Sequence, residues 1–413
     1  MYLLRIAVRN LFRRRRRTLI IAGVLALAIF FGLYMDSIMG GMLEVSFSNI
    51  IDFETAHVEL GREEFMAEEE EFPLDELFVP SEDLTAEVQD MSGYQAMTPV
   101  IDFSASAITG REEFPVRVRA IDSKNYDQVF RTRDYVVEGE FIESGETGLV
   151  IGSDLADLLE LEVGDFYTLR LRDRRDSFNT MQGEVKGIVN TPHPDINLST
   201  VFVDRDYAVE TLGIEAEEIS KLMIRMENRT EAVASAASLQ DNLADTGLAV
   251  YSWEDASEML LAMQEFAELE ILFIMILIVI VGAIGIINLV VLSAIERVEE
   301  IGMMKAMGLK ESEIVKVFLL EAGGVGVLGG IIGSVLGAIG IGLLSRIGLD
   351  LYLIYGDVIV DMGFPIMGKM YGTWNLPLFA FFFIFAVVTA VVASIIPSYW
   401  AARKNPVDAI YHR

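Results

Sequence analysis

The chain has 413 residues, 52% of them hydrophobic, with a mean hydropathy of +0.41, no cysteine and a formal net charge of −30. So apolar a composition argues against a soluble multi-domain protein, the lack of cysteine excludes disulfides, and the acidic balance does not suit nucleic acid. The expected architecture is a membrane protein: four transmembrane helices with a large α+β extracytoplasmic domain between the first and second.

Residues 1–17 are expected to form a cytoplasmic interfacial helix. Leu4, Ala7, Val8, Leu11 and Phe12 recur at helical spacing, while Arg5, Arg9 and Arg13 fall on another face. Residues 18–40 are the first span. Its apolar core is too long for the h-region of a signal peptide, and no small-residue cleavage site follows, so it reads as an anchor. The arginines before it, Arg5, Arg9 and Arg13 to Arg17, place the N-terminus in the cytoplasm and face lipid rather than RNA.

Residues 41–268 carry 50 of the 62 acids but 16 of the 32 bases, a net −34, which leaves +4 for the rest of the chain. The charge therefore belongs to one insert, placed outside the membrane by the positive-inside rule. Strands are expected at His57 to Leu60, Pro99 to Phe103 and Phe114 to Ile121, where residues alternate with period two. Residues Thr147 to Leu171 read strand–helix–turn–strand. The acidic run Glu63 to Glu76 reads as a solvated face. Between two later strands lies Pro192, His193, Pro194, Asp195, Ile196 and Asn197, whose prolines suggest a stiff, extended projection. His193 has no second histidine or cysteine beside it, so no metal site is expected. The insert ends in a helix, Ala256 to Glu268, that enters the next span without a breaker.

Residues 269–295 are the second span, residues 296–313 a short charged cytoplasmic loop, and residues 314–345 the third span. Each apolar run suffices to cross the roughly 30 Å of hydrocarbon, which takes about 20 helical residues. The loop ERVEEIGMMKAMGLKESE is too short to fold alone and needs a partner's surface. Asn288 and Glu321 are intramembrane polar groups, and Glu321 is expected to have a partner or to be neutral. The pairs Gly326/Gly330, Gly329/Gly333 and Gly333/Gly337 fit close helix packing, within the chain or at a dimer seam. Residues 346–375 form an outer loop, residues 376–397 the fourth span, opened by Pro377 and closed by Pro397, and residues 398–413 a cytoplasmic tail. Gly363 to Lys369 fits GxxxxGK, but Met370 replaces the Mg²⁺-binding Ser/Thr and no strand is expected before it. There is no HExxH and no GxSxG, so the chain does not read as an enzyme.

The stretch ERVEEIGMMKAMGLKESEIVKVFLLEA resembles the signature of FtsX-like, MacB-type ABC transporter permeases. MDSIMGGMLEVSFSNIIDFETAHVEL, VIGSDLADLLELEVGDFYTLRL and GEVKGIVNTPHPDINLSTVFVD resemble successive blocks of the lipoprotein-releasing LolC/LolE-type permeases. Near Thr191 those often have a glycine–aromatic sequence where this chain has TPHPD. The resemblance implies a mechanotransmission permease that extracts lipoproteins from the outer leaflet and releases them to a periplasmic carrier. A cytoplasmic ABC ATPase dimer would bind ATP and Mg²⁺, with no cofactor in this chain, and a second copy or sister permease would complete the complex. Glu299, Glu300, Ile301, Gly302, Met303, Met304, Lys305, Ala306, Met307 and Gly308 would form the coupling helix on that ATPase, with Ile301, Met303, Met304 and Met307 as its apolar contacts. Met35, Ile38, Met42, Phe266, Leu269 and Phe273 would meet the acyl chains, and the Pro192 to Asn197 segment would dock the carrier. The alternatives are MacB-like export of peptides or small toxic molecules and FtsX-like regulation of cell-wall hydrolases.

Overall fold

A computed structural model describes residues 2–13, 15–109, 112–255, 258–350 and 369–403. Among these, four helices are long and apolar enough to cross a membrane: Arg15–Phe53, Leu269–Glu296 (within a helix that starts at Glu258), Glu311–Ile347 and Leu376–Ala402. The chain divides into two compact units, one holding these spans and the other built mainly from Leu43–Ala262. The helix expected to enter the second span unbroken does so, as Glu258–Glu296; its expected first residues, 256 and 257, lie outside the described residues. Residues 351–368, most of the expected outer loop and of the GxxxxGK match, and residues 404–413 of the tail also lie outside them.

In the membrane unit, helix Tyr2–Arg13 buries Ala7 and keeps Leu4, Val8 and Phe12 exposed. The glycines of the third span serve two neighbours within this chain. Gly329, Gly333 and Gly337 meet Ala22, Leu25, Ala26, Ile29 and Leu33 of the first span, while Gly326 and Gly330 meet Val387, Ala390 and Phe383 of the fourth. Small residues permit this approach where no hydrophobic force drives helices together. A Cβ on Gly333 would lie 2.8 Å from the Ala26 carbonyl oxygen and 2.8 Å from Ile29 Cβ, so backbone must move. Gly333→Ala is therefore expected to cost about 1–3 kcal/mol. A fall in the melting temperature of the detergent-purified chain, with no fall for Gly342→Ala, where the nearest heavy atom is 3.7 Å away, checks this. At the far end of the fourth span the expectation needs correcting: Pro397 does not close the helix but sits buried inside it, and the helix runs on to Ala402.

The second unit is built on ten strands: β1 (Val58–Arg62), β2 (Tyr94–Thr109), β3 (Glu112–Ile121), β4 (Val136–Gly139), β5 (Leu149–Gly152), β6 (Phe166–Arg172), β7 (Phe178–Val189), β8 (Thr200–Asp204), β9 (Lys221–Met226) and β10 (Leu248–Ser252). They pair in the order β10-β1-β9-β2-β3-β8-β5-β7-β4, with β6 joined to β2 and β7. The described pairings are antiparallel except β3 with β8 and β5 with β7. Alternation along β2 and β3 sends Ile101, Phe103, Val116 and Val118 to one core, while Val100 and Ile121 enter another with Tyr126 and Phe130.

That second face also holds a buried ion pair. Asp102 and Arg119 are register partners across β2 and β3, 0% and 1% exposed. Arg119 Nε and Nη2 donate to the two Asp102 carboxylate oxygens at 2.8 and 2.9 Å, and Nη1 donates to the Glu54 carbonyl at 3.1 Å. Burial pushes the Asp102 pKa up, but Arg119 outweighs it and holds the carboxyl below the usual range. Lys221, likewise buried, binds Glu59 at 3.0 Å and also Glu69. The expected solvated face at Glu63 to Glu76 is thus corrected. Glu63–Ala67 is a helix that buries Phe65 and Met66, and Glu69 closes over Lys221.

A helix turn on three buried contacts

The second span ends at Glu296, and Arg297, at φ −120° and ψ 21°, turns the chain into helix Val298–Ala306. Glu299 and Glu300 in its first turn and Lys305 in its last complement the helix dipole. Gly308, at φ +94°, adopts a conformation that side chains resist, and reverses the chain toward Glu311–Ile347. The Lys310 backbone N–H then donates to Glu313 at 2.9 Å, satisfying an otherwise orphaned donor.

The short helix has two faces. Ile301 and Gly302 turn inward, and Ile301 belongs to the buried apolar cluster that also holds Ala294, Ile314, Phe318 and Ala401. Ile301 is therefore enclosed within this chain, whereas the expectation had it as an apolar contact for a partner. Met303 and Met307 are 55% and 74% exposed, and with Arg297, Glu300 and Met304 they line an open depression. Large apolar side chains left in the open beside a charged rim suit a partner's surface.

Beneath this helix lies a polar node. Glu321 is buried, as its place in the third span requires of a paired group. It accepts from Asn10 Nδ2 at 2.5 Å and from Arg297 Nη1 at 3.0 Å. Arg297 Nε also donates to Glu300 at 2.8 Å, and Arg13 reaches Glu300 at 3.0 Å. The hydrogen bond from Arg297, reinforced by Arg13, holds the Glu300 carboxyl below the usual range. One carboxylate therefore ties the interfacial helix, the short helix and the third span together. Glu321→Ala leaves Arg297 and Asn10 short of an acceptor and is expected to cost about 1–3 kcal/mol. A lower melting temperature, restored in part by Glu321→Gln, checks it. Asn288 plays no part in the node: its side chain lies on the exposed side of its helix, and its backbone carbonyl accepts from Arg17 at 2.7 Å.

Met35, Ile38 and Met42 form one stripe at i, i+3 and i+7, and Phe266, Leu269 and Phe273 form another at i, i+3 and i+7. Met35, Phe266, Leu269 and Phe273 are exposed, Ile38 and Met42 half-buried. The two stripes lie on separate helices, and none of the core clusters among the described residues joins them.

The segment of Pro192, His193, Pro194, Asp195, Ile196 and Asn197 is not an extended projection. Pro194–Ser199 is a short helix with Pro194 at its start, and His193, Pro194, Ile196 and Asn197 are buried. Asn197 bridges back to Thr191, accepting from its N–H and donating to its carbonyl, both at 2.8 Å. His193 Nε2 lies 2.9 Å from Glu54 Oε2. Burial would raise the Glu54 carboxyl, but His193, Arg117 and Arg119 outweigh it and hold it well below its usual range. Of the six residues only Asp195 is fully exposed. Sequence reading missed this lock because its partners, Glu54 and Asn197, carry no local signature.

Residues 272–406 match the FtsX-like permease C-terminal family. An ABC transporter permease of Methanocaldococcus jannaschii is 23% identical over 310 residues, covering 73% of this chain and 71% of that protein. The macrolide export ATP-binding/permease protein MacB of Nitrobacter winogradskyi is 30% identical over 111 residues, 27% of this chain and 14% of that protein. Among solved structures, the extracellular domain of the noncanonic ABC-type transporter YknZ from Gram-positive bacteria overlays 47% of this chain and 99% of its own, at 17% identity and a TM-score of 0.32. The periplasmic region of MacB from Actinobacillus actinomycetemcomitans overlays 53% of this chain and 96% of its own, at 10% identity and a TM-score of 0.34. The family match, over residues 272–406, takes in the short helix and the helices on either side of it, and with the two sequence relatives it makes this chain similar to ABC transporter permeases of the FtsX/MacB type.

Proposed function

We propose that this permease extracts lipoproteins from the outer leaflet of the cytoplasmic membrane and hands them to a periplasmic carrier. An ATPase dimer docks on the helix Val298–Ala306 from the cytoplasm, and a second copy or sister permease completes the complex. The observation that carries the cargo assignment is the apolar stripe of Phe266, Leu269 and Phe273, each more than 60% exposed. It lies where the acidic insert gives way to the span. Acyl chains bind such a surface at about 0.8 kcal/mol per buried CH₂, so withdrawing a lipid-anchored protein from the bilayer demands an energy source. The helices Arg15–Phe53 and Glu258–Glu296 are 39 residues each, about 58 Å at 1.5 Å per residue. That is nearly twice the hydrocarbon thickness, and it favours rods that carry an ATP-driven motion beyond the membrane.

The test is depletion of the protein in its host with fractionation of the lipoproteins, alongside photocrosslinking from Phe266 and Met42. Lipoproteins held in the cytoplasmic membrane, and crosslinks to them, are expected. Normal lipoprotein sorting with new sensitivity to peptides or small toxic molecules would favour export, the activity named for the MacB relative.

A further inference from the structure

The arginines at the start of the first span are in electrostatic debt. Helix Arg15–Phe53 opens with Arg15 and Arg16 followed by Arg17, and it has no acidic residue in its first turn. Neighbouring arginines repel one another unless anions come between them. Two carboxylates answer part of the charge: Glu300 takes Arg13 at 3.0 Å, and Glu296 lies 3.7 Å from Arg17. Arg17 also donates to the carbonyls of Asn288 and Leu289 at 2.7 and 2.9 Å. Arg15 and Arg16 remain exposed, and among the described residues no ion pair reaches either. Arg15 makes one hydrogen bond, to the Phe12 carbonyl at 3.3 Å.

These groups surround a real space. Phe12, Arg13, Arg15, Arg16, Arg17 and Glu296 line an open depression of about 690 Å³, within the roughly 300–1,000 Å³ of small-molecule sites. Phe12 is 58% exposed at its rim and offers an apolar wall. The interfacial helix, the start of the first span and the end of the second supply the lining, so the depression sits at a membrane boundary. A phosphate there would accept from the Arg15 and Arg16 guanidiniums, while its acyl chains ran along Phe12 into the bilayer.

We propose that this depression is a binding site for the phosphate headgroup of an anionic phospholipid, held by Arg15 and Arg16. The site is independent of the cargo. Because Arg13 and Arg17 in its lining bind Glu300 and Glu296, an occupied site would brace the turn that carries the Val298–Ala306 helix.

The test uses the full chain reconstituted in bilayer discs of phosphatidylcholine alone or mixed with phosphatidylglycerol. The expected result is a higher melting temperature with phosphatidylglycerol, and phosphatidylglycerol retained on the protein in native mass spectrometry. Arg15→Gln with Arg16→Gln should abolish both, Arg15→Lys with Arg16→Lys should keep most of the retention, and Arg5→Gln with Arg9→Gln, outside the lining, should leave both unchanged. Inorganic phosphate added to phosphatidylcholine discs separates the sources. An equal rise with phosphate would overturn the lipid assignment. Loss of retention in the Arg5/Arg9 variant to the same extent would reduce the effect to general surface charge and overturn the site.

Discussion

Asp102→Ala is expected to cost the insert about 3–5 kcal/mol, because it strands the Arg119 charge in a site with no access to water. For a folded unit of about this size that lowers the melting temperature by on the order of 10 °C, read on the purified full chain. The guanidinium would keep its bonds to the Glu54 and Phe53 carbonyls, the weaker attraction of the Glu54 carboxylate and its place 5.6 Å from the Phe130 ring centroid. Replacing both partners, Asp102→Ala with Arg119→Met, should recover most of the loss, since the desolvation penalty leaves with the charges. A double variant no better than the single one would show that the pair's hydrogen bonds, not its uncompensated charge, set the cost. The same pair gives a pH dependence. The folded Asp102 pKa is held below its unfolded value of about 3.9, so its stabilisation is complete above that value and is lost as pH falls through the folded pKa. Acid unfolding should therefore be shallower in the Asp102→Ala variant below about pH 4.

Met303→Asp combined with Met307→Asp should weaken ATPase docking while leaving the fold intact. Both side chains are exposed, so neither change opens a cavity, yet each puts a charge where an apolar contact with a partner is proposed. Losing two such anchors is expected to weaken binding by about 2 kcal/mol or more, roughly 30-fold. Co-purification of the ATPase and permease-dependent ATP hydrolysis would report it, beside an unchanged melting temperature. Ile301→Asp is the contrasting variant. It buries a charge among Ile314, Phe318 and Ala401 and should lower the melting temperature as well as docking. If the methionine variant retains the ATPase at full strength, this helix is not the docking surface.

These outcomes separate what could be read locally from what could not. The EIG loop and the unbroken run into the second span were legible, because a helix advertises itself through continuous apolar residues and the absence of breakers. The identity of the buried residue within the loop was not. Ile301, Met303 and Met304 are all apolar, and only the packing of the second, third and fourth spans decides which of them is enclosed. The Pro192 to Asn197 segment was misread for a related reason. Two prolines argue for an extended projection, yet Pro194 begins a helix, where its missing N–H costs nothing, and Glu54, distant in sequence, supplies the partner that draws His193 inside.

By itself the sequence determined the four spans, the position of the acidic insert between the first and second, and the strands β1, β2, β3 and β5. Each follows from the length or period of an apolar pattern, which the transfer of side chains out of water imposes on neighbouring residues. Tertiary structure alone decided that Arg119 and Lys221 are buried, that the third-span glycines divide between the first and fourth spans, and that Glu321 pairs with both Asn10 and Arg297. Those facts depend on which distant groups meet, and a buried charge or a bare helix face is stable only in the company of a partner the local sequence does not name.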